Sequence, residues 1–171
     1  VMYGELFMLL ERDSERCKSM SRELYKIYSE EISFGRSGAE VDFDSPTIVY
    51  SNSSVRPNLF PESFRSAMRA AVRGERILDL ASLNRIRQRF AKEFSANSSS
   101  FENVLSAYHQ ELIAQGHFEA YNYWLFGYGD PKQTASWVNA NKTKWDSFLA
   151  WFEKNPISIN PSNVFSRYTM E

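Results

Sequence analysis

A single cysteine, Cys17, is present among 171 residues, which excludes an internal disulfide and a cysteine-based zinc site. Glycine is also scarce, with 7 residues, and none falls in a GxGxxG, GxSxG or GxxxxGK[ST] pattern. The common phosphate-cradling loops and the strained serine turn of α/β hydrolases are therefore absent. The two histidines, His109 and His117, stand eight residues apart and outside any HExxH or Glu-x-x-His spacing. On these grounds we expect no metal, no cofactor and no catalytic residue. No apolar run approaches the roughly 18 residues of a spanning helix, so no membrane span is expected. The longest early run, 6–10, is bracketed by Glu5 and Glu11 and is no signal peptide. Localisation stays open: the composition suits the cytoplasm, and a targeting segment ahead of Val1 is the alternative.

Aromatic residues are abundant: 13 Phe, 9 Tyr and 4 Trp make 15% of the chain, so the core should be rich in rings. We expect one domain over 1–171, all-α with about five to seven helices. A small β-hairpin or extended excursion is expected near 39–50, within an insertion at about 36–60, and an irregular tail at about 155–171. The stretch 5–32 has neither Gly nor Pro. Leu6, Leu10, Cys17, Leu24 and Tyr28 keep near-helical spacing there, with an interruption at Asp13 and Ser14. Gly35 reads as the stop of that helix. Val41 and Phe43 then alternate with Glu40, Asp42 and Asp44, as a half-buried strand does.

Beyond residue 60, Pro61 suits a helix start and Phe64, Ala67, Met68, Ala71 and Val72 its buried face, with Gly74 as the stop. Asp79 can cap a helix bearing Leu80, Leu83, Ile86, Phe90 and Phe94. Ser99 and Glu102 have capping-box spacing at the start of a helix whose apolar face is Phe101, Val104, Leu105, Tyr108, Leu112 and Ile113, and Gly116 supplies a left-handed stop. The following HFEAYNYWLF is too apolar to face water all round, which makes 99–126 a central helical hairpin. Asp130-Pro131-Lys132-Gln133 opens another helix, and Trp145, Phe148, Leu149 and Phe152 give the last apolar face before Asn155-Pro156. No 34-residue self-similarity is present, so these helices are not tetratricopeptide repeats.

The formal net charge of −1 hides an uneven distribution. Residues 1–55, 56–92, 93–131 and 132–171 carry −4, +6, −5 and +2. In the basic segment Arg65, Arg69, Arg73 and Arg76 form one column if the helix persists past Gly74, and Arg85, Arg89 and Lys92 a second. Arginine's planar fork suits carboxylate and phosphate. The competing reading pairs these arginines with the acidic flanks inside the fold. Glu102, Glu111, Glu119 and Asp130 lie in a stretch without Lys or Arg, and as a solvated acidic face they require no chemistry. Trp124 and Trp151 lie beside their apolar stripes and are candidates for an exposed groove. The expected function is a non-enzymatic protein-interaction or scaffold domain that meets another protein or peptide through Arg65, Arg69, Arg73, Arg76, Arg85, Arg89, Trp124 and Trp151. The alternatives are a motif-poor helical hydrolase or small-ligand binder, and a nucleic-acid binder acting through 56–92.

Overall fold

The apolar periodicity of 5–32 is carried by two helices, α1 (Met2–Glu11) and α2 (Glu15–Glu31). The chain breaks between them because Arg12 adopts a left-handed backbone, φ 50°, and Ser14 then caps α2 by accepting the Cys17 N–H at 3.2 Å. A computed structural model describes residues 1–36, 38–43, 60–97, 103–160 and 163. Among them are eight helices and one antiparallel hairpin: β1 (Ile32–Gly35), β2 (Gly38–Val41), α3 (Phe60–Ala71), α4 (Leu80–Asn97), α5 (Val104–Ala114), α6 (Phe118–Phe126), α7 (Pro131–Ala140) and α8 (Lys142–Lys154). The fold is mainly helical with a small hairpin.

The hairpin begins earlier than alternation alone suggests. β-branched Ile32 leaves α2 directly into β1, and Gly35 pairs with Gly38, so the two glycines serve a hairpin turn instead of a helix stop. The register sets Ile32 opposite Val41, and both are buried. Two strands alone are marginal in water. Here they lean on the helices: Phe43, just past β2, packs edge-on against Tyr28 and Phe64, with ring centroids 5.5 and 5.6 Å away. Residues 44–50, the rest of the expected extended stretch, lie outside the described residues.

α6 is the centre. Seven of its nine residues are buried, and it packs against α2, α4, α5 and α8, as a helix that is apolar all round must. α3 lies along α4 through Phe60, Phe64, Phe90 and Phe94. On the other side Tyr121, Trp124, Phe148 and Phe152 join α6 to α8. α7 buries none of its residues fully and is held by Trp137 stacked on Tyr123 at 4.2 Å.

The helix ends follow local chemistry. Asp79 and Ser82 form a reciprocal box at the start of α4, 2.7 and 2.8 Å. Asp130 Oδ1 accepts the Gln133 N–H at 3.0 Å with Pro131 in first position, while the Gln133 side chain turns away to the Leu80 N–H. α5 is capped by Asn103 and Ser106; Ser99 and Glu102 lie outside the described residues. α3 stops at Ala71, and Gly74 takes a left-handed φ of 85°. Asn141 separates α7 from α8, so Thr143 sits inside a helix and caps nothing. The described part of the tail has no regular structure, and Ile157 is buried.

Candidate functional site

Among the described residues two places gather groups that could act on something else. The first is a buried polar cluster that no local spacing announces. Glu5 from α1, Tyr28 from α2, Arg87 from α4, His109 from α5 and Tyr121 from α6 all turn inward and are buried. Arg87 grips the Glu5 carboxylate as a fork, Nη2 to Oε1 at 2.5 Å and Nη1 to Oε2 at 3.0 Å. Tyr121 Oη donates to Glu5 Oε1 at 2.7 Å. His109 Nε2 lies 2.7 Å from that oxygen, and an ionised carboxylate can only accept, so the ring nitrogen is the donor. The remaining Arg87 donors reach Tyr28 Oη at 3.1 Å and Asn122 Oδ1 at 2.7 Å, and Asn122 in turn donates to Asn84 at 2.8 Å.

Electrostatics follow from this packing. Burial pushes the Glu5 carboxyl up, but Arg87 and His109 outweigh it and hold Glu5 well below the usual carboxylate range. Burial opposes the Arg87 charge, and Glu5 and Tyr28 more than restore it, raising the guanidinium. Tyr121 is pushed up by burial first and by the Glu5 charge second.

A histidine oriented by a carboxylate is half of a nucleophilic triad, and Ser106 lines the same cavity. Ser106 is not available for chemistry: its hydroxyl accepts the Asn103 N–H at 3.0 Å and donates to the Asn103 carbonyl at 2.9 Å, completing the α5 cap. The cavity above the cluster has about 20 Å³, room for about one water. The cluster therefore has its hydrogen bonds made and no space for a substrate. Its role is to tie five helices together.

The second place is an open groove of about 470 Å³ between α2 and the α6–α7 turn, lined by Ser19, Arg22, Glu23, Tyr25, Lys26, Tyr128 and Gly129. Its walls are fixed from below. The Tyr128 N–H donates to Ser21 Oγ at 3.2 Å. Gly129 sits so close to the Tyr25 side chain that an added Cβ would lie 2.3 Å from its Cβ and 2.4 Å from its ring, so the turn can rest on α2 only through glycine. Tyr128 is left 43% exposed, with Lys18 and Arg22 flanking its ring at 5.8 and 5.6 Å from the centroid. The Tyr25 phenol is pushed up by burial and then by Asp130 and Asp79 nearby.

The arginines singled out from spacing are dispersed by the fold. Because α3 ends at Ala71, Arg73 and Arg76 lie beyond it and the first column is cut after Arg69; all three are exposed. Arg65 is half-buried and pairs with Glu62 at 3.2 Å. Arg85 holds Glu75 with both ends of its fork, 3.0 and 2.7 Å. Arg89 pairs with the same carboxylate and donates to the Arg73 carbonyl at 2.6 Å. These contacts, the Arg85 hydrogen bonds foremost, lower the Glu75 carboxyl. Neutralisation thus comes from within the basic segment as well as from the acidic one before it, through Glu5. Trp124 is half-buried, stacked on Tyr121 at 5.7 Å and edge-on to Phe152 at 4.8 Å. Trp151 is half-buried against Tyr108 and His117, 5.9 and 5.4 Å.

Of the acidic residues in 93–131, Glu119 binds Trp137 and Lys144, Glu111 accepts from Gln115, and Asp130 caps α7, so they serve separate local contacts. Among the described residues no three His, Cys, Asp or Glu side chains converge as metal ligands. No described helix is long and apolar enough to cross a membrane. Cys17 is buried. The chain matches no protein-family model, and no curated protein or solved structure is significantly similar to it.

Proposed function

We propose that this chain is a non-enzymatic protein-interaction domain that holds a segment of a partner protein in the groove between α2 and the α6–α7 turn. The observation that carries this reading is a contrast of volumes. The cluster that, among the described residues, has the composition of catalytic machinery has about 20 Å³ beside it, whereas the groove is an open surface of about 470 Å³, room for a segment of chain. The groove contains no histidine, cysteine or metal-ligand set. It presents an exposed tyrosine rimmed by cations, a combination favoured at protein interfaces. None of the arginines and tryptophans singled out from the sequence lines this groove.

A random dodecapeptide display library panned over the immobilised full chain tests it. Clones should be retained by the natural chain and lost on Tyr128→Ala, a change at an exposed ring that leaves the circular dichroism spectrum and melting temperature intact. A library in which no retained clone depends on Tyr128 removes the reading.

A further inference from the structure

The groove is not electrically neutral, and the arrangement of its charges narrows the partner. Lys18, Arg22 and Lys26 fall at i, i+4 and i+8 on α2, one above the other along the helix, and Arg22 and Lys26 line the groove itself. The two ends of this column are already engaged: Lys18 pairs with Glu15 at 2.5 Å and Lys26 with Glu30 at 3.8 Å. Arg22 in the middle makes no ion pair among the described residues. Its side chain is exposed, and its guanidinium lies 5.6 Å from the Tyr128 ring centroid. A guanidinium beside a ring on the wall of an open groove carries the planar fork that a carboxylate accepts in two hydrogen bonds.

The surroundings discriminate between kinds of anion. Glu15, Glu23 and Glu30 share α2 with the column, and Asp79 and Asp130 act on the Tyr25 phenol at the groove wall. A continuous polyanion such as a nucleic acid would run a charge every few ångströms past these carboxylates and be repelled. A peptide with one or two isolated acidic side chains can place a carboxylate on Arg22 and its uncharged residues across Tyr128 and Gly129. We infer that the groove takes an acidic peptide segment, its carboxylate received by Arg22 and its neighbouring residue laid on Tyr128. This inference rests on the groove being an interaction site.

The experiment separates the two. The dodecapeptide library is panned in parallel over the natural chain, Tyr128→Ala, and the charge reversal Arg22→Glu, each checked for an unchanged melting temperature. The expected result is an excess of Asp and Glu among Tyr128-dependent clones. Individual clones should lose about tenfold in affinity on Arg22→Glu, the worth of one charge-assisted hydrogen-bonded contact, and weaken as salt is raised. Tyr128-dependent clones with no acidic excess, or with an excess indifferent to Arg22→Glu, overturn the acidic partner and leave the groove as an interaction site. Absence of any Tyr128-dependent clone overturns both. A labelled single-stranded 20-mer oligonucleotide that displaces the clones and itself depends on Arg22 overturns the inference in favour of nucleic acid.

Discussion

Glu5 is a charged side chain placed where a leucine would normally sit, and the fold accommodates it by bringing four donors to its two oxygens. Removing the charge while keeping the shape leaves the Arg87 guanidinium buried and uncompensated. Glu5→Gln should therefore cost about 3–5 kcal/mol in urea unfolding, and joint replacement of Glu5 and Arg87 by Met should recover much of it. The sign of the acid dependence follows from the depressed Glu5 carboxyl. Its stabilisation is complete above the ordinary value of 4.5 and is lost as pH falls below that value. The natural chain should lose stability steeply below about pH 4.5, whereas Glu5→Gln should show a flatter profile; equal slopes would mean that other carboxylates carry the acid transition. One trace of this cluster was legible in the sequence. Arg87 occupies a position on the apolar stripe of Leu83, Ile86, Phe90 and Phe94, where a charge needs a partner. Which partner was not legible, because Glu5, His109 and Tyr121 lie 82, 22 and 34 residues away along the chain.

Elements were readable where a helix declares itself in its own residues. The stripes of α3 and α4, the all-round apolar α6 and the Asp79 and Asp130 caps are local physics, and the structure has them; on α8 Phe148 and Phe152 are buried as the stripe requires, whereas Leu149 is exposed. The hairpin was placed late because Gly35 and Gly38 satisfy a helix stop and a strand turn equally well; Ile32, β-branched, buried and paired with Val41, decides for the strand. The arginine column failed because α3 stops at Ala71, before Arg73, and the chain turns through Gly74 where the spacing alone would have extended the helix. Arg12 shows an end that spacing does not reveal. Its Nε donates to the Leu9 carbonyl at 3.1 Å, closing α1, and its guanidinium lies 3.9 Å over Phe152 and donates to the Phe152 and Asn155 carbonyls, closing α8. One side chain thus satisfies the exposed carbonyls of two helices. At this scale Asn103→Ala, which removes the reciprocal cap of α5, should cost about 1 kcal/mol in chemical unfolding. Gly129→Ala should cost about 1–3 kcal/mol by driving the α6–α7 turn off Tyr25, and unlike Tyr128→Ala it should lower the melting temperature.

For the whole molecule, the unusual aromatic content becomes a titration property. Tyr25, Tyr28, Tyr108, Tyr121 and Tyr123 are all raised, chiefly by burial, Tyr108 to about 12. The fold favours the neutral phenol, so this stabilisation is present below the ordinary value of 10.0 and drains away as pH climbs past it. Tyrosinate absorbance at about pH 11, one unit above a free phenol, should be well below that of the same chain in guanidinium; equal signals would mean that the rings are open to water. The cluster around Glu5 also sets an order in time. Its contacts join residues 82, 104 and 116 positions apart, and Arg12 reaches 140 positions to Phe152. Closing such loops is entropically late, so α1 should dock after the α3–α4 and α5–α6 pairs have formed. Stopped-flow measurements on Glu5→Gln should then show the whole stability loss as faster unfolding, with refolding unchanged. α1 is in that sense the last helix fastened, and the clasp at Glu5 governs how long the folded state survives more than how quickly it is reached.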